Sequence, residues 1–141
     1  MAIRFFSDGI SFQPEGKRKI SQWLKRVAAK ERKKIGYLHY VFVSDEIIFD
    51  LNKKYLQHND YTDIITFDNS MGNTISGEMY ISIDTVKSNA KDYQAEFYNE
   101  LLRVMVHGVL HLCGYRDTTA NEQFEIHLAE DRYLDDLVLG K

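Results

Sequence analysis

The chain has almost nothing to brace it covalently: one cysteine, Cys113, and one proline, Pro14, in 141 residues. A single thiol excludes an internal disulfide, so the fold must rest on a packed core, which a chain of this length can build. Long apolar runs are missing too. None approaches the roughly 18 residues that a membrane-spanning helix needs. The first residues, Met1 to Ser7, turn polar within a few positions and lack the charged-then-apolar order of a secretory signal. Together these absences predict a cytoplasmic protein with no membrane partner. There is also no excess of positive charge. Lys and Arg total 18 against 21 Asp and Glu, a net charge of −3, so bulk electrostatics lend no support to nucleic-acid binding and no DNA partner is expected. No repeat, low-complexity segment or linker divides the chain, and a single domain over residues 1–141 is expected.

What is present is ordinary globular material, 44% hydrophobic and 13% aromatic, arranged in clear periods. Residues 3–6 alternate as a short strand. From about residue 16 to 34, Ile20, Trp23, Leu24 and Val27 keep helical spacing, and Gly36 is read as the stop. The opposite face of that helix is strongly basic, and Lys17, Arg18, Lys25 and Arg26 are candidates for contact with a phosphate backbone. Residues 37–43 form a β-branched and aromatic strand. A helix capped by Ser44 or Asp45 then reaches about residue 56, with Ile47, Ile48, Leu51 and Tyr55 inward. Residues 63–67 and 77–83 read as strands paired antiparallel across a polar turn. Asp84 is the expected cap of a helix to about residue 93. Helices over about 96–113 and 120–139 follow, the last with an acidic, solvated face. This order predicts an α+β (α/β-type) fold: a single mixed sheet of about four strands packed with about five helices, the most apolar helix central.

The chemistry concentrates at the end of that apolar helix. His107 and His111 stand one turn apart on one face, Gly114 suits the left-handed residue that stops a helix, and Asp117 returns from beyond the turn. A histidine pair inside an apolar helix also serves as packed core. Nothing in packing, however, asks two imidazoles and a carboxylate to converge, and burying them unpartnered is costly. The reading preferred here is a metal centre held by His107, His111 and Asp117, with a position left for water, as catalytic sites require. Imidazoles favour one zinc ion without excluding other divalent metals. Such an ion lowers the pKa of its water and polarises a carbonyl or phosphoryl oxygen.

The spacing resembles the zinc segment of metzincin-type peptidases, H-E-x-x-H-x-x-G-x-x-H or D, except that their glutamate base is replaced here by Gly108. A second resemblance accounts for the glycine. The run from His107 to Asp117, H-G-V-L-H-L-C-G-Y-R-D, is similar to the H-G-x-L-H-L-x-G-Y-D-H signature of the YbeY family. Leu51-Asn52, the block from Thr62-Asp63 to Phe67, and the block from Gly77-Glu78 to Ser82 resemble that family's L-N, T-D-V-L-S-F and G-D-I-x-I, in its order. The resemblance implies a metal-dependent, single-strand-specific endoribonuclease acting in small-subunit ribosomal RNA 3′-end maturation and ribosome quality control. The implied partners are ribosomal RNA, the small ribosomal subunit and an Era-type GTPase. Two positions depart from the family: Asp117 stands where it usually has a third histidine, and Leu56 where it usually has an arginine. His58 is the candidate to supply the missing cation or proton transfer, and Asp63 to orient one of the imidazoles. Glu78 reads as a strand-edge charge, and His39 and His127 as incidental. The competing expectations are a non-enzymatic ribosome-assembly factor with a structural metal and a minimal metallopeptidase.

Overall fold

A computed structural model describes residues 2–55 and 62–139. β1 (Ile3–Asp8) leads through α1 (Lys17–Lys30) to β2 (Lys34–Val43). α2 (Asp45–Tyr55) follows, then the hairpin of β3 (Ile64–Asp68) and β4 (Thr74–Ser82), and last α3 (Ile83–Asp92), α4 (Phe97–Leu112) and α5 (Ala120–Leu139). The four strands form one mixed sheet in the order β1-β2-β4-β3. β1 and β4 run parallel to β2, and β3 pairs antiparallel with β4. The α+β architecture, with four strands and five helices among the described residues, is the one the periodicities predict. No helix among the described residues is long and apolar enough to cross a membrane.

Alternation along the strands splits the apolar residues between two faces. Leu38, Tyr40 and Phe42 of β2 join Met79 and Ile81 of β4 in the main cluster, packed with Trp23 and Leu24 of α1, Met105 and Val109 of α4, and Ile126 and Ala129 of α5. Val43, Ile65 and Ile48 form a smaller cluster under α2 on the other face. Buried polar groups pin the helices to this frame. The Trp23 indole donates to the Tyr133 carbonyl of α5 at 2.8 Å, and the Tyr40 hydroxyl donates to the Met105 carbonyl of α4 at 2.8 Å. α4 is thus the central helix, fixed from the sheet side and flanked by α1, α3 and α5.

Several local expectations are corrected. α1 ends at Lys30, because Arg32 takes a left-handed φ of 62°. Gly36 is not the helix stop; it lies inside β2, where an added Cβ would collide with the Ser76 hydroxyl of β4. Tyr55 is 56% exposed rather than inward. Ser82, not Asp84, caps α3, accepting from the Thr85 amide at 3.1 Å. Glu78 is not at an edge: β4 is an interior strand, and Glu78 pairs with His39 on one side and Phe67 on the other.

Candidate metal centre

The apolar face of α4 sets the site by bringing the helix close to the sheet. At Gly108, between the two histidines, a Cβ would lie 2.6 Å from Met79 Sδ and 3.0 Å from Ile64 Cδ1. This explains the glycine, since a side chain at 108 would point into the sheet rather than toward solvent. The helix then closes with the bonding pattern of a glycine stop. Gly114 (φ 108°) donates to the His111 carbonyl and Tyr115 to the Leu110 carbonyl, each at 3.0 Å. The reversal carries Asp117 back over the helix end.

The three side chains converge. His107 Nε2 and His111 Nε2 are 2.9 Å apart, and Asp117 Oδ2 lies 3.4 Å from the first and 3.3 Å from the second. Ligands at about 2.0–2.1 Å around a tetrahedral ion stand roughly 3.3 Å from one another, so the donor set fits a divalent cation without rearrangement. All three ligand atoms lie within 4.8 Å of one another, and each side chain is partly open to solvent.

The far side of each imidazole is already engaged. His111 Nδ1 donates to the Tyr115 carbonyl at 3.0 Å, and His107 Nδ1 donates to Glu130 Oε2 at 2.5 Å. With both Nδ1 atoms protonated, both Nε2 lone pairs face the Asp117 carboxylate. Three acceptors aimed at one point repel unless a cation sits among them. Glu130, on α5, is 1% exposed and also accepts from Arg103 Nη1 at 3.0 Å and His127 Nδ1 at 3.2 Å. Burial alone would raise its carboxyl, but the His107 and Arg103 contacts outweigh that and hold it below the usual glutamate value. Burial likewise opposes charge on His107, yet Glu130 lifts its imidazole above the ordinary value. Behind His111, the Tyr115 hydroxyl donates to Glu31 at the end of α1 at 3.2 Å, and the Tyr133 hydroxyl donates to the same carboxylate.

The remaining candidates are placed differently. Asp63 borders a cavity of about 390 Å³ beside His107, and burial raises its carboxyl. The hydrogen bond it was expected to give an imidazole is made by Glu130. His58 and Leu56 lie outside the described residues. Lys17 and Arg18 border a separate groove against β1, and Arg26 faces Asp136 of α5 at 3.9 Å. None of these, nor Lys25, lines the cavity at the metal centre. His127, exposed one turn before Glu130 on α5, reaches its Oε1 at 3.2 Å. The sequence did carry a signal for Glu130: it shares the buried stripe of α5 with Ile126, Ala129 and Tyr133, and a carboxylate among core positions needs a partner.

Comparison with known proteins gives one family. The family model described as endoribonuclease YbeY matches residues 4–138. The endoribonuclease YbeY of Bacteroides thetaiotaomicron is 42% identical over 134 residues, spanning 95% of this chain and 98% of that protein. Its counterpart from Phocaeicola vulgatus is 45% identical over 132 residues, spanning 94% and 96%. Among solved structures, the solution structure of TM1509 from Thermotoga maritima superposes with a TM-score of 0.68 at 27% identity, covering 96% of this chain and 88% of the other.

Proposed function

The chain belongs to the endoribonuclease YbeY family, and from that premise we propose that it is a zinc-dependent endoribonuclease cutting single-stranded ribosomal RNA. The convergence of His107, His111 and Asp117 carries the reading. These residues would hold the ion, which when bound supplies electrophilic stabilisation of a phosphodiester oxygen and a more acidic water. The protein's own groups do the rest. Glu130 and the Tyr115 carbonyl fix the two imidazoles so that Nε2 of each faces the centre. Asp63, which shares a cavity lining with His107 and whose carboxyl burial makes more basic, is assigned to hold or pass a proton during cleavage. Lys17, Arg18, Lys25 and Arg26 are assigned to more distant RNA backbone, and His58 to a supporting proton transfer. The family resemblance extends the proposal to small-subunit 3′-end maturation in the cytoplasm by this single domain, alongside the small ribosomal subunit and an Era-type GTPase.

The test is His111→Ala, assayed on a single-stranded ribosomal RNA precursor with elemental analysis of the same preparation. The variant should bind less zinc than one ion per chain and lose cleavage. Cleavage that continues at the wild-type rate would remove the centre from the mechanism.

A further inference from the structure

The cavity next to His107 holds a carboxylate that accepts no hydrogen bond from any described residue. This is Glu100, which is only 6% exposed and lines the space. The nearest cation is not free to serve it, because Arg103 donates to Glu130 and to Asp131. Burial raises the Glu100 carboxyl against the lowering pull of Arg103. Asp63 and Glu130 line the same space, so carboxylates there outnumber the one guanidinium, Arg103. A backbone phosphate would be repelled there, whereas hydrogen-bond donors would be welcomed.

The space has the size and walls of a base pocket. Its volume of about 390 Å³ falls at the lower end of the roughly 300–1,000 Å³ typical of small-ligand sites. Asn99 offers an amide beside Glu100, and Tyr93, 69% exposed on the lining, offers an aromatic face. Unpaired RNA bases are recognised by stacking on aromatic rings and by hydrogen bonds along their exposed edges. Among the four bases only guanine presents two adjacent ring-edge donors, N1–H and the 2-amino group, which match the two oxygens of one carboxylate. Its O6 is left as an acceptor for an amide such as that of Asn99.

We propose that this cavity is a guanine subsite, in which Glu100 accepts from N1–H and the 2-amino group of a nucleotide flanking the scissile phosphate. The inference rests on the nuclease reading for the identity of its ligand. The test titrates the full-length, zinc-loaded protein with the four nucleoside 5′-monophosphates, each carrying the same phosphate, so that any metal–phosphate contact cancels. Cut sites in a mixed-sequence RNA are mapped in parallel. Guanosine monophosphate should bind about tenfold or more tightly than the others. Glu100→Gln should abolish that preference, and Tyr93→Ala should weaken all four alike. Equal binding of the four, preference for another base, or a preference that survives Glu100→Gln would overturn the subsite. Because the wild-type comparison needs no variant to fold, the result is decisive either way. A guanine preference without RNA cleavage would keep the subsite and remove the nuclease. Cleavage with no base bias and equal monophosphate binding would do the reverse.

Discussion

Replacing Gly108 by alanine sets two effects of opposite sign against each other. Alanine in place of glycine inside a helix is worth about 0.5–1 kcal/mol in the alanine's favour. Against it stands the approach of α4 to the sheet. The new methyl would lie 2.6 Å from Met79 Sδ, 3.3 Å from Met79 Cγ and 3.0 Å from Ile64 Cδ1. Met79 is fully buried, so either its thioether or the helix must move within a packed core. Overpacking of this kind costs about 1–3 kcal/mol. The difference is a net loss centred on about 1 kcal/mol and reaching about 2.5 kcal/mol, a fall in Tm of roughly 3–4 °C at the centre for a chain of this size. Thermal and urea unfolding of the metal-free protein measure it. Gly108→Ala combined with Met79→Val should recover part of the loss, giving a coupling of about 0.5 kcal/mol or more in a double-mutant cycle. A Gly108→Ala variant as stable as wild type would refute the claim that helix-to-sheet distance dictates this glycine.

Two further outcomes follow from the support behind His107. Glu130→Gln should lower zinc affinity roughly 10–100-fold in competition with a chelator, since an imidazole deprived of its orienting carboxylate is a poorer ligand; unchanged affinity would sink that role. The second concerns pH. In the metal-free protein His107 titrates above its ordinary 6.5, so its contribution to stability is complete below 6.5 and fades as pH rises through the higher folded value. Glu130 titrates below its ordinary 4.5, so its contribution is complete above 4.5 and fades as pH falls through the lower one. Metal-free Tm should therefore be highest between about pH 4.5 and 6.5. Zinc affinity should already be dropping as pH falls toward 6.5, because the proton competes for Nε2. A metal-free Tm that climbs steadily from pH 6 to 9 would contradict the pairing.

What the sequence made legible depended on distance along the chain. His107, His111, Gly114 and Asp117 lie within one helix end and its reversal, and the geometry there is local enough to follow from spacing. The β3–β4 hairpin was readable for the same reason. For Glu130 the spacing marks only a carboxylate on the buried stripe of α5; its partner His107 depends on how α5 lies against α4, which no periodicity specifies. Strand order was equally hidden. With β1 and β3 at the edges, β4 moves to the interior, and Glu78 becomes an inner-strand residue instead of a rim charge. Gly36 follows a helical stretch and so reads as its terminator, whereas the neighbouring strand requires it. The arginine-to-leucine departure at Leu56 and its stand-in His58 fall outside the described residues.

The link from Glu31 through Tyr115 to His111 has a consequence for how genetic variation in this protein should be read. Glu31 sits 84 positions before the tyrosine it anchors and carries no feature of the signature that marks the centre. A survey of natural or random variants ranked by proximity to that signature would dismiss it as a surface acid. Its replacement by lysine would free the loop whose carbonyl steadies one imidazole, so a carrier of that change would present as a metal-site defect with every ligand intact.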